Sequence, residues 1–159
     1  IDRGRKKWFY EMHFLGFNYR ITDIQCALGL SQMNKLDDFI KRRRKIAYFY
    51  KEAFADMEEV ICLEEREYAV SSWHIFPVRI NKNRDKVFDK LIVGNIGVNL
   101  HYIPIYLHPY YKKLGYRKGL CPKAEKYFKE TMTLPLFSKM SDSEVKKVTI
   151  AVKNAVDNL

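Results

Sequence analysis

From Thr22 to about Ala55 the apolar positions recur at three- and four-residue steps, the spacing of a helix face. Ile24, Ala27 and Leu28 make one stripe. Leu36, Phe39, Ile40, Ile46, Ala47, Tyr50, Ala53 and Phe54 continue it, with Arg43 the one polar intrusion. The start is well marked. Thr22 and Gln25 have capping-box spacing, Asp23 stands where the helix dipole favours a negative charge, and Ile21 and Cys26 occupy the staple positions. Gly29 costs about 1 kcal/mol against Ala in a helix interior. Together with Asn34 and the Asp37-Asp38 pair it predicts a bend or break near residues 33–36, so the stretch reads as two helices in sequence or one kinked helix. It is long for a single-domain helix and reads as an arm between domains.

Beyond the arm the period shortens. Val60 to Glu67, an apolar triplet followed by charge, is a candidate short strand. Ser72 to Ile80 is the clearest strand, and Pro77 within it argues for an edge position or a bulge. Asn83 is placed to cap a helix over Asp85–Val93, with Val87, Phe88, Leu91 and Ile92 inward and Gly94 as its left-handed stop. Gly97 to Ile103 alternates as a second strand. A Tyr- and His-rich loop follows over Pro104–Tyr116. Pro122 opens a short helix to about Glu130, Thr131 to Leu134 reads as a third strand, and Ser141 with Glu144 caps a last helix built on Val145, Val148, Val152, Ala155, Val156 and Leu159. The expected fold is α+β: a long N-terminal linker helix, straight or kinked, then a small domain with a three-stranded mixed or antiparallel sheet covered by helices on one face. The expected division is 1–56 for lead-in, turn and long helix, and 57–159 for the small domain.

Composition changes this picture little. The 159 residues are 47% hydrophobic and 14% aromatic, enough for a real core. No run reaches the roughly 20 apolar residues of a membrane span, and no signal-peptide pattern follows the basic first residues. Cys26, Cys62 and Cys121 are odd in number and widely spaced, which fits neither a disulfide framework nor zinc and points to a reducing, cytoplasmic compartment. The chain has no initiating Met and opens as mid-protein sequence, so it reads as a C-terminal piece of something longer.

The net charge of +10 admits nucleic acid, a membrane surface or an anionic substrate as partner. Its densest run, Lys41 to Lys45, falls inside a predicted helix and would spread around the circumference rather than along one face. A solvated or subunit-facing surface is the preferred reading of that run, with a basic nucleic-acid-binding module kept as the alternative. A non-catalytic interaction domain is a third.

Candidate chemistry is sparse. The seven glycines are scattered, and no Walker loop, Gly-x-Gly-x-x-Gly or Gly-x-Ser-x-Gly occurs. His101 and His108 lack the spacing and the neighbours of a metal pair, so no metal site is expected. His101, in a predicted strand, is a candidate substrate contact or a hydrogen-bonded structural histidine. The one exposed polar cluster at a helix mouth is Asn18-Tyr19-Arg20, on loop backbone free to face a ligand or a partner. Binding groups are present, and no complete catalytic constellation is.

That same cluster opens a stretch, GFNYRITDIQCALGLSQMNKLDDFIKRRRKIAYFY, that closely resembles a signature of the DegT/DnrJ/EryC1/StrS sugar-nucleotide aminotransferases, fold-type I pyridoxal phosphate enzymes. The resemblance continues through the strand Trp73–Ile80, through GNIGVNLHYIPIYLHPYYKKLGY and through CPKAEKYFKETMTLPLFSKMSDSEVKKV, in register and over nearly the whole chain. It implies a small C-terminal domain that follows a large cofactor-binding domain, and a Schiff-base lysine in an upstream motif absent here. This chain should therefore hold no catalytic residue of its own and be inactive alone. Asn18 matches a family Asn that reaches the cofactor phosphate of the neighbouring subunit of a homodimer. Arg20 matches a basic residue near that phosphate or the substrate diphosphate. His101 and Tyr102 match a His-Tyr pair near the bound sugar nucleotide, with His108 in the substrate-side loop. The implied reaction moves an amino group, from glutamate, to a keto sugar nucleotide in surface polysaccharide or glycan biosynthesis. The nearest subfamily aminates 4-keto-6-deoxy sugars.

Overall fold

Two capping boxes open helices where the sequence marks them. In the computed structural model, which describes residues 9–158, Thr22 Oγ1 accepts from the Gln25 amide at 3.3 Å and Gln25 Oε1 accepts from the Thr22 amide at 2.9 Å. Ser141 and Glu144 repeat the exchange at 3.2 and 2.7 Å. Trp8 and the rest of the lead-in before Phe9, and Leu159, expected on the last helix, lie outside the described residues. The chain divides between Lys35 and Leu36 into two compact units.

Among the described residues the first unit holds one helix, α1, Asp23–Met33. Gly29 stays inside it, and the expected break falls at Asn34–Lys35, where the Lys35 amide bonds back to the Gln32 carbonyl at 3.0 Å. No residue of α1 is buried: Ile24 is 83% exposed and Leu28 62%.

The second unit begins with α2, Leu36–Ala53, then β1, Val60–Cys62, and β2, Phe76–Ile80. It continues through α3, Arg84–Val93, a 3-10 turn at Ile105–Leu107, α4, Pro109–Lys113, α5, Pro122–Glu130, β3, Thr131–Leu134, and α6, Asp142–Asp157. The sheet is antiparallel in the order β1-β2-β3, with Val60 opposite Ile80 and Phe76 opposite Leu134. Side chains alternate across a strand. Phe76, whose ring lies 5.2 Å from that of Tyr50 on α2, thus puts Val78, Ile80, Met132 and Leu134 on the α2 side. There they join Ile46, Ala47 and Phe54 of the α2 stretch, Val87 and Leu91 of α3, and Val148 and Val152 of α6 in one buried core. Pro77, Arg79, Thr131 and Thr133 face the other way.

Three expectations are corrected. Gly97–Ile103 is no full strand. It touches β3 only at Asn99, which exchanges both backbone hydrogen bonds with Thr133, at 3.2 and 2.7 Å. The next amide, Leu100, is taken by the Asn99 side chain at 2.7 Å, a local bond that competes with the ladder. β1 supplies the third strand instead. Pro77 also sits in the central strand rather than at an edge. Because Thr133 turns both backbone groups to Asn99, its pairing with Pro77 is of the non-hydrogen-bonded kind. The missing Pro77 N–H therefore faces the β1 side, at the position just past Cys62 where β1 ends. A proline there stops β1 and costs the sheet no bond.

The third correction concerns the caps of α3. Asn83 stands at the cap in a left-handed conformation, φ 51°, and its side chain makes no capping bond. Gly94 has φ −75°, and Asn95, φ 58°, takes the left-handed position that glycine was expected to fill. Arg84 compensates elsewhere. Only 8% exposed, it donates to the carbonyls of Phe128 and Lys129 at 2.9 and 3.1 Å and so closes the C-terminal end of α5.

Candidate functional site

The sheet face away from α2 carries the site. β3 presents Thr133 there, and the one-rung bridge to Asn99 brings the following chain across it. His101 is thereby set with Nδ1 2.8 Å from Thr133 Oγ1. Its ring meets that of Tyr102 edge-on, centroids 4.6 Å apart, across a cis peptide. His101 is half-buried and Tyr102 largely exposed. His108, at the start of α4, is exposed and makes no capping bond. No hydrogen bond or ring contact joins its side chain to His101 or Tyr102. The structure brings His101 and Tyr102 together and adds Thr133, which sequence reasoning did not single out. The loop expected over Pro104–Tyr116 is shaped into the 3-10 turn and α4.

That segment is held by a clasp. Tyr106 donates to Glu125 Oε1 at 2.6 Å, the Gly119 amide donates to the same oxygen at 2.6 Å, and the Cys121 amide donates to the Tyr106 hydroxyl at 3.2 Å. Gly119 has φ +95°, a conformation that favours glycine. The Tyr106 hydroxyl first, then the Gly119 amide, holds the Glu125 carboxyl below the usual glutamate range. Partial burial, and next the bond to Glu125, pushes the Tyr106 phenol up. A carboxylate lowered in the folded state adds stability above its unfolded value, and that stability is lost as pH falls through the lowered one. In a pH titration by NMR, the Gly119 amide resonance is expected to follow Glu125 with a midpoint below the ordinary glutamate value, and Glu125→Gln should abolish the titration. A midpoint at or above the ordinary value would contradict the clasp.

Asn18 and Arg20 lie in the first unit, on the irregular segment before α1, and both are exposed. Phe17 and Tyr19 stack at 5.3 Å, and the Arg20 amide bonds the Asn18 carbonyl at 3.0 Å. No hydrogen bond or ion pair of either side chain is found among the described residues. An amide and a guanidinium, both with free N–H groups, suit the oxygens of a phosphate such as that of pyridoxal phosphate.

The basic run is structural in large part. Arg42 donates to the Met140 carbonyl and, at 2.7 Å, to Asp142. Arg43 Nη1 reaches the carbonyls of Trp73, His74 and Leu136 at 3.2, 2.9 and 3.2 Å. Arg44 reaches the Ser71 carbonyl at 2.9 Å. Three consecutive guanidinium groups are thus committed to the protein's own backbone. Among the described residues no group of three His, Cys, Asp or Glu side chains is disposed to hold a metal, no helix is long and apolar enough to cross a membrane, and the three cysteines are free.

Comparison with known proteins places the chain in a family. The sequence model of the DegT/DnrJ/EryC1/StrS aminotransferase family matches residues 1–153, and the chain belongs to that family. It is 35% identical over 156 residues to the spore coat polysaccharide biosynthesis protein SpsC of Bacillus subtilis, covering 94% of this chain and 40% of that protein. It is 32% identical over 148 residues to a UDP-4-amino-4,6-dideoxy-N-acetyl-beta-L-altrosamine transaminase of Campylobacter jejuni, covering 91% and 39%. Its structure resembles the pyridoxal phosphate form of the putative sugar aminotransferase Spr1654 of Streptococcus pneumoniae with a TM-score of 0.86 at 30% identity, over 95% of this chain and 40% of that one. The α+β fold is the one seen in these aminotransferases. The chain spans about two fifths of the length of the curated relatives it matches.

Proposed function

We propose that the chain is the C-terminal part of a pyridoxal-phosphate-dependent aminotransferase that moves an amino group, from glutamate, to a keto sugar nucleotide in the synthesis of a surface polysaccharide or glycan. Its match to the family over residues 1–153 carries this reading. The name of the Campylobacter relative, a transaminase of a UDP-linked 4,6-dideoxy sugar, supports a 4-keto-6-deoxy sugar as the acceptor. Pyridoxal phosphate, when bound, supplies an aldehyde that takes up the amino group and a ring that draws electrons from it. The chain's own residues bind and orient. Asn18 and Arg20 donate to phosphate, in the active site of a second copy of the enzyme. His101 and Tyr102 line the sugar nucleotide, and His108 stands in the same substrate-side loop.

In this reading residues 1–56 form the turn and the arm, and 57–159 the small domain. α2 is where the arm enters that domain's core, through Ile46, Ala47 and Tyr50. The open apolar face of α1 is to be covered by the rest of the enzyme. The three free cysteines fit work in the cytoplasm. The arginines of the basic run brace the domain through its own carbonyls, which speaks against a nucleic-acid role for them.

The chain alone is expected to be inactive. Incubated with pyridoxal phosphate, glutamate and a UDP-linked 4-keto-6-deoxy sugar, it should give no aminated sugar above a protein-free control. Turnover by the chain alone would overturn its assignment as a part.

A further inference from the structure

Thr133 is the residue beneath His101, and its hydroxyl has little choice of partner. The residue is 7% exposed. Its Oγ1 lies 2.8 Å from His101 Nδ1, and no other hydrogen-bond partner of that hydroxyl is found among the described residues. A threonine hydroxyl has one proton to give, and neutral imidazole offers one acceptor and one donor nitrogen. If Nδ1 carried the ring proton, Oγ1 would accept it and its own buried proton would be left without an acceptor. An unmet buried donor carries the full desolvation cost of the group. If Nδ1 is bare, Oγ1 donates to it and both groups are satisfied.

The other nitrogen is open. Nε2 has no hydrogen-bond partner among the described residues. The buried side-chain nitrogen or oxygen found there without a partner is Trp73 Nε1, so His101 Nε2 is reached by solvent. The ring is steadied further by the edge contact with Tyr102. The backbone that carries Thr133 is fixed on one side by Asn99 and on the other by its place opposite Pro77 in the sheet.

We propose that Thr133 is a positioning residue: in the neutral ring its hydroxyl donates to Nδ1 and fixes the Nε2–H tautomer, so that His101 presents an aimed hydrogen-bond donor to its ligand. A ligand oxygen is the matching group, such as a sugar hydroxyl, a keto oxygen or a diphosphate oxygen. The use of that donor rests on the proposed sugar-nucleotide role of His101. The tautomer does not, and it can be read on this chain without substrate or cofactor.

The experiment is nitrogen-15 NMR of the histidine ring at a pH where the ring is neutral, on the 159-residue chain and its variants. The unsubstituted chain is expected to show one unaveraged tautomer for His101, with Nδ1 at the bare-nitrogen position and Nε2 at the protonated one. Thr133→Val keeps the branched shape and removes the hydroxyl. It should move the Nδ1 resonance toward the protonated position as the two tautomers average, while the Asn99 and Thr133-position amides keep their shifts. Thr133→Ser should restore the single-tautomer pattern. A merely structural threonine would not discriminate in this way, since Val fills its space better than Ser does. Thr133→Ala is read like the Val variant and keeps the test open if that one does not fold. The proposal is overturned if the unsubstituted chain already shows averaged nitrogens, if its proton sits on Nδ1, or if removing the hydroxyl leaves the pattern unchanged. An intact tautomer switch in a protein that transfers no amino group would count against the substrate role alone.

Discussion

Phe76→Ala is expected to destabilise the second unit by about 3–5 kcal/mol, the range for truncating a fully buried Phe. Phe76 is completely buried on the central strand, with ring contacts to Tyr50 at 5.2 Å and Trp73 at 5.3 Å and with Leu134 opposite on β3. Its removal takes the partner of two aromatic rings at once, and the sheet pinned on both edges cannot close over the gap. Urea denaturation followed by circular dichroism measures the change as a fall in midpoint at constant slope. Phe76→Leu, which keeps most of the volume, should cost no more than about 1.5 kcal/mol. A loss below about 1 kcal/mol for the alanine variant, on the same scale, would show that α2 and β2 do not pack as described.

Arg43→Met is expected to cost about 2–4 kcal/mol, although the residue sits amid lysines and arginines that look like surface. A hydrogen bond from a charged group contributes about 1.5–3 kcal/mol. Arg43 Nη1 shares its two protons among three carbonyls, and the sum is discounted further because the carbonyls of a half-buried site can turn to water. Its partners are informative. Two of its acceptors, Trp73 and His74, lie at a backbone turn where Trp73 has φ 49°, and the third, Leu136, follows β3. A non-glycine residue in the left-handed region is held there against a cost of about 1–2 kcal/mol. Arg43 supplies part of the hold, and the Ser71 hydroxyl, accepting from the Trp73 amide at 3.0 Å, supplies more. Arg43→Lys should recover part of the loss, since the lysine side chain is one atom shorter and its ammonium falls short of the Nη1 position on which the three carbonyls converge. Lys41→Met on the exposed side should change stability by less than about 0.5 kcal/mol. If the run served nucleic acid instead, Arg43→Met would leave stability alone and flatten the slope of log affinity against log salt by about one contact.

How far the chain could be read in advance depended on how local each cause is. The two capping boxes, Pro122 at the first turn of α5 and the α6 stripe from Val145 to Val156 rest on local sequence, and all appear as expected. Sheet membership rests on partners far along the chain. Val60–Cys62 and Gly97–Ile103 are both candidate strands as sequence. What separates them is that Asn99 caps its neighbour's amide while Val60 finds Ile80. Pro77 was legible as an obstacle to pairing but not as the end stop of a neighbouring strand. The arginine run looked like a charge patch because its acceptors are backbone carbonyls, which every sequence has and none displays.

The site was less legible than the fold. Asn18, Arg20, His101, Tyr102 and His108 carry no pattern that marks them as a set, and only the family resemblance grouped them. Thr133 was hidden for a different reason. It reads as an ordinary β-former, and its partner His101 is 32 residues away, joined to it by a single bridge.

The proposed function makes this chain part of an enzyme that aminates a sugar nucleotide. The most direct test uses a protein comprising this chain and the remaining length found in its relatives, supplied with pyridoxal phosphate, nitrogen-15 glutamate and a UDP-linked 4-keto-6-deoxy sugar. Mass spectrometry of the nucleotide sugar should show the keto oxygen replaced by a labelled amino group. A cofactor-loaded protein that leaves every keto sugar nucleotide unlabelled would contradict the account.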